Sequence, residues 1–133
     1  MKKNISYLLL FIFFSLLISC RGKSSSQENV PDTQIEWKRK IWNFGDISEG
    51  EIVTHTWYFK NSGEHSLVIK NIDTGCGCTT VTYDKKPIEP GKEGKIEIAF
   101  NSAGRYGKQY KEISIFANIP EKQTTLSFTA NVK

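Results

Sequence analysis

The chain has 133 residues, 24% of them charged and 38% hydrophobic, with a formal net charge of +4. That length holds one domain with one core and no second. Lys2 and Lys3 belong to a leader, so the remaining charge is +2, a balance that excludes the basic surface of a nucleic-acid binder.

Lys2 and Lys3 precede an apolar run from Tyr7 to Ile18. A basic start, a short apolar core and a small residue at the exit describe a secretory signal peptide. The run is shorter than the about 20 apolar residues that span a membrane. It ends in Leu17-Ile18-Ser19-Cys20, which resembles the lipobox of bacterial lipoproteins. The resemblance implies that the Cys20 thiol carries diacylglycerol and that residues 1–19 are removed as signal peptide. Burial of acyl chains is worth about 0.8 kcal/mol per methylene, and two or more chains give stable anchoring. Residues 20–33 are small, polar and interrupted by Pro31, as expected of a flexible tether. The folded domain is expected over residues 34–133.

From Ile35 onward the chain shows short alternating segments between turn residues, the pattern of an all-β sandwich or barrel. Ile35-Glu36-Trp37 and Ile41-Trp42-Asn43-Phe44 form a first strand, continuous or broken. Between Glu51 and Lys60, Val53, His55, Trp57 and Phe59 share one face. Asn61-Ser62-Gly63-Glu64 is a turn signal. Leu67 to Ile72 is the next strand. Thr79-Thr80-Val81-Thr82-Tyr83 is β-branched and aromatic, as strands prefer. Glu89-Pro90-Gly91-Lys92 fits a type II turn. Ile96, Ile98 and Phe100 face inward on the strand that follows. Gly104 and Gly107 bracket a loop. Ile113 and Ile115 face inward next, and Leu126, Phe128, Ala130 and Val132 do so on the last strand, after a corner at Asn118-Ile119-Pro120. Seven antiparallel strands in about 100 residues predict an immunoglobulin-like β-sandwich. Cys76 and Cys78 are too close in sequence to bridge two sheets, so packing must hold the layers.

Gly75-Cys76-Gly77-Cys78 is the one constellation with chemistry. The pair can form a local disulfide if Gly77 lets the chain bend. It can hold a soft ion such as Cu(I) through two thiolates. It can also be purely structural. The local disulfide or structural role ranks first, copper second and catalytic redox last, because an oxidoreductase pair is expected as Cys-x-x-Cys at a helix start. No metal site is assigned, since neither a second Cys pair nor a His pair accompanies the motif. His55 reads as a core or boundary residue and His65 as a solvated turn residue. Serine-elbow, phosphate-loop and His-Glu-x-x-His patterns are absent, and no pair of carboxylates stands out as acid and base. The basic clusters at Lys38-Arg39-Lys40, Lys85-Lys86 and Arg105, Lys108, Lys111 read as solvated strand faces, with anionic lipid headgroups as the sharper alternative.

Asn43-Phe44-Gly45-Asp46-Ile47-Ser48-Glu49-Gly50-Glu51, Phe59-Lys60-Asn61-Ser62-Gly63, Leu67-Val68-Ile69, Cys76-Gly77-Cys78-Thr79-Thr80, Ile88-Glu89-Pro90-Gly91-Lys92 and Ala117-Asn118 occur in that order. Together they resemble a bacterial envelope family, domain of unknown function 1573, from about Trp37 to Lys133. The resemblance implies an immunoglobulin-like sandwich akin to modules of cilia and of pilus chaperones. It also implies a lipoprotein or secreted protein of Gram-negative bacteria, and a local role for the Cys-Gly-Cys pair. It implies no activity.

The expectation is therefore a non-enzymatic binding or scaffolding module without a cofactor. It would be tied by the Cys20 lipid to the outer membrane, facing the periplasm, and would meet envelope protein partners. The alternative is a copper relay or redox handle at Cys76 and Cys78.

Overall fold

The structure is a computed structural model and describes residues 30–133. The leader, Cys20 and most of the tether lie outside the described residues. Eight strands follow in order: β1 (Ile35–Trp37), β2 (Ile41–Ile47), β3 (Ile52–Asn61), β4 (Ile69–Asp73), β5 (Thr79–Tyr83), β6 (Glu93–Asn101), β7 (Gly107–Ala117) and β8 (Gln123–Val132). They form two four-stranded sheets, ordered β1-β3-β6-β5 and β2-β8-β7-β4. The fold is an all-β sandwich.

The broken first strand is the main departure from seven antiparallel strands. Its two halves belong to different sheets: β1 pairs antiparallel with β3, and β2 pairs parallel with β8. The polar triplet Lys38-Arg39-Lys40 bends between them and has no apolar face to bury. Crossing there lets Trp37 and Trp42 both pack against the core from opposite layers.

Alternation puts one face of each long strand inside. Trp57, Phe59, Ile96, Ile98 and Phe100 come from one sheet; Ile113, Ile115, Leu126, Phe128 and Val132 come from the other. Phe128 joins the layers, with ring centroids 5.2 Å from Phe100 and 5.5 Å from Phe44. Offset, tilted contacts of this kind suit the ring quadrupoles. In the β3–β6 register Gly94 stands opposite Phe59, and a Cβ at Gly94 would fall onto the Phe59 ring and the Ile88 side chain. The glycine is there for space.

Two buried amides fix the end of the sandwich where the tether arrives. Asn61 donates from Nδ2 to the carbonyls of His65 and Ile88, both at 2.7 Å. Its Oδ1 accepts from the Thr33 hydroxyl at 2.9 Å and the Gly63 N–H at 3.1 Å. Asn118 donates to the carbonyls of Pro31 (2.7 Å) and Ser66 (2.9 Å) and accepts from the Val68 N–H at 2.7 Å. Thr33 is buried, and Asp32 pairs with Lys122 at 2.6 Å. Residues 31–33, assigned to the tether from composition, thus lie against the domain, because the Thr33 hydroxyl and the Pro31 carbonyl supply partners that Asn61 and Asn118 need when buried.

Candidate functional site

Among the described residues the site worth building is the run from β4 to β5, which crosses from the outer edge of one sheet to the outer edge of the other. Asp73 starts the crossing by accepting the Gly75 N–H at 2.8 Å. Gly75 takes φ +67°, a left-handed conformation that glycine adopts without strain. Gly77, expected from its place in the motif to bend the chain, stays outside that region. The bend brings the Cα atoms of Cys76 and Cys78 to 5.3 Å, and a disulfide joins them. That separation is ordinary for a disulfide. Both cysteines are half-buried, and the Thr79 hydroxyl lies 3.9 Å and 3.8 Å from their sulfurs. A cleft of about 310 Å³ opens beside the loop, lined by Gly77, Cys78, Asn101, Ala103 and Arg105.

β5 leaves this clamp and pairs with β6 over Thr79 to Tyr83 without a register shift. The Asn101 N–H donates to the Cys78 carbonyl at 2.9 Å, which makes Cys78 and Asn101 a hydrogen-bonded pair. Such pairs alternate along an antiparallel ladder. Thr80 and Thr82 therefore bond to β6, while Thr79, Val81 and Tyr83 turn their N–H and C=O groups to the open side. Among the described residues no strand occupies that side.

The other edges are blunted. β1 has three residues and its ladder stops at the Lys38 N–H bond to the Tyr58 carbonyl, so among the described residues β3 from Ile52 to Trp57 also lacks an outer strand; there the cationic triplet flanks the edge, with Lys38 over the Tyr58 ring. β2 has a bulge between Asn43 and Asp46. β4 has one between Ile69 and Asn71 and carries Lys70 and Asp73. Shortness, bulges and charges are how sheets resist a further strand. β5 has no charge, no proline and no bulge.

The remaining candidates disperse. His55 stacks on Trp42 at 3.9 Å and meets the Trp57 ring edge-on at 4.7 Å. Desolvation there, with a smaller push from Arg39, lowers its pKa below the usual 6.5. His65 is exposed in its turn. The cations of the basic triplet diverge: Lys38 pairs with Glu93 at 3.0 Å, Arg39 lies over Trp42, and Lys40 donates to Thr124. Several carboxylates are engaged in turns and surface pairs. Asp46, for example, is held below its ordinary pKa by hydrogen bonds from Lys133 and then Asn131. Among the described residues, no three His, Cys, Asp or Glu side chains converge as metal ligands do.

A family profile described as protein of unknown function (DUF1573) matches residues 35–132. The chain belongs to that family. The match to the DUF1573 family takes in every strand and the Cys-Gly-Cys loop. No curated protein matches the chain. A protein of unknown function from Porphyromonas gingivalis W83 is similar at 19% identity with a TM-score of 0.67; it covers 82% of this chain, which spans about half (51%) of that protein. PapD-like domain 7 of human CEP192 is similar at 12% identity and TM-score 0.59, over 87% of this chain and 95% of the domain. The VesB protease of Vibrio cholerae shares the fold at 12% identity and TM-score 0.56, over 77% of this chain and 32% of that one. At such identities the likeness concerns fold alone.

The strand edge was missed in the sequence reading, although its signal is present. Thr79 to Tyr83 carries no charged residue, proline or glycine.

Proposed function

We propose that this member of the DUF1573 family is a non-enzymatic, lipid-anchored binding module of the bacterial envelope. In this reading Cys20 holds it at the outer membrane, facing the periplasm, and a protein partner adds a strand to β5. The single observation that carries the reading is the open β5 edge: three outward backbone positions in unbroken register, uncharged, and clamped at one end by the Cys76–Cys78 loop. Strand addition draws its affinity from such main-chain groups and its specificity from alternate side chains. The test uses the full chain solubilised from envelopes in detergent. Val81→Pro removes an N–H that faces the open side and leaves the β6 ladder intact. Envelope proteins retained by the wild type and lost from the variant, an untagged copy of this chain included, support the reading; identical retention of all of them by both ends it.

One observation favours a second reading. The disulfide sits half-buried at the surface beside a cleft lined by Arg105, where an external dithiol can reach it. Reduction would yield two thiols able to hold one Cu(I) as thiolates. Titration of the reduced full chain with Cu(I) should then saturate at one equivalent and be lost in the Cys76→Ser, Cys78→Ser double variant. Equal uptake by both proteins removes it.

A further inference from the structure

We propose that the strand added to β5 is β5 of a second copy of this chain, antiparallel to the first across a two-fold axis at Val81. The proposal rests on the strand-addition reading and names its partner. Any added strand must keep alternation intact, because a slip of one residue turns core-facing side chains outward. Thr79, Val81 and Tyr83 present outward backbone groups, while their side chains are buried or half-buried toward the core. With the axis at Val81, Val81 meets Val81 and Thr79 meets Tyr83. All the outward-facing residues then fall at hydrogen-bonded positions of the new ladder. Centring on Thr80 would carry Tyr83 past the end of the partner strand, and centring on Thr82 would do the same to Thr79.

The side chains agree with that register. Thr80 and Thr82 are exposed on the outer face. Two-fold pairing sets Thr80 of one copy opposite Thr82 of the other in the closer, non-hydrogen-bonded pair, where Thr–Thr contacts are favourable. The inner faces bring Val81 against Val81 and extend the core across the junction. No like charges meet, since β5 carries none. Just beyond the strand, Asp84 arrives opposite Cys78 and Lys85 opposite Gly77 of the second copy, so an acidic and a basic residue reach the cleft that Arg105 lines and no net charge is added there. The result joins two β1-β3-β6-β5 sheets into one continuous sheet. An interface built from the same patch on both subunits closes on itself and leaves no strand to recruit a third copy through β5.

The experiment reads register directly, on the full chain in detergent. Thr80→Cys and Thr82→Cys are prepared as separate single variants, with the wild type as the control for native cysteines. Under mild oxidation by a dipyridyl disulfide, the mixture of the two variants should give a covalent dimer. Each variant alone should not, because identical positions lie diagonally, about 7–8 Å apart, beyond disulfide reach. Adding Val81→Pro to both variants should cut the cross-linked yield about tenfold or more, by deleting the donors at the axis. Near-ultraviolet circular dichroism reports whether that variant is folded, and the mixing experiment stands without it. Equal cross-linking by the single variants and the mixture, or none in the mixture, overturns the proposal. If the mixture fails while the wild type still retains an envelope protein that Val81→Pro loses, strand addition stands with another partner. If both fail, both readings fall together.

Discussion

Asn61→Asp is the most searching test of how this sandwich is held at its tether end. The side chain is fully buried and has four partners: two carbonyls that need a donor, and a hydroxyl and an N–H that need an acceptor. Aspartate keeps the acceptor oxygen and replaces the NH₂ group with a second oxygen, 2.7 Å from the carbonyls of His65 and Ile88. Protonated, that oxygen can donate to one of them and leaves the other bare. Ionised, it faces both without a proton. A buried unsatisfied group costs about 1–3 kcal/mol, and a buried charge costs more. We therefore expect a loss of about 1–3 kcal/mol at acidic pH and more than about 3 kcal/mol at neutral pH. The sign follows from linkage. The folded-state pKa is raised above the unfolded value of about 3.9, so the variant is most stable below that value and weakens as pH rises toward its folded-state pKa. At about 4–8 °C per kcal/mol for a domain of this size, the midpoint should fall by roughly 12 °C or more at neutral pH. Thermal unfolding of the full chain between pH 4 and pH 8, against the wild type, measures both effects. A drop of only a few degrees, or one that does not grow with pH, would refute the claim that Asn61 is a buried four-way junction.

The remaining predictions concern space, protonation and anchoring. Gly94→Ala pushes a methyl group into the Phe59 ring and the Ile88 side chain, and should cost about 1–3 kcal/mol in urea unfolding; a neutral result would mean that the β3–β6 register is wrong. His55 has a folded-state pKa below 6.5, chiefly from desolvation. Its contribution is therefore fully present above that pH and is lost as pH falls toward the folded-state value. His55→Phe should flatten this part of the stability profile, and an unchanged slope in the variant would count against it. Cys20→Ala should move the protein from the membrane to the soluble envelope fraction on fractionation, whereas unchanged membrane attachment would dispose of the lipid anchor.

The strands were legible because alternation is a local signal. Val53 through Phe59, Ile96 to Phe100 and Leu126 to Val132 declare their inward faces without outside information. Turn chemistry was equally direct at Glu89-Pro90-Gly91-Lys92, where Gly91 has φ +76° and the Lys92 N–H donates to the Glu89 carbonyl at 3.0 Å. Sheet membership was not legible. Nothing in Ile35 to Phe44 says that its halves join opposite layers, because that depends on pairing with β3 and β8 far along the chain. The buried roles of Asn61 and Asn118 were hidden for the same reason: asparagine in a turn or corner looks solvated until the backbone around it is assembled. At the candidate site the Cys-Gly-Cys pair was conspicuous by composition. The edge beside it was not, since an edge is defined by which neighbour is missing.

The tether end and β5 border the same sheet on opposite sides, with β3 and β6 between them. In the proposed arrangement, a pull from the bilayer on a partner held at β5 would enter near Pro31 to Thr33, where side-chain amides grip the polypeptide. There it would divide: the Asn118 and Lys122 contacts lead into the β7–β8 corner of the facing layer, while β1 passes the rest sideways through β3 and β6 to β5. The long β3–β6 seam would carry the lateral share, and the facing layer would both share the load and keep that seam dry.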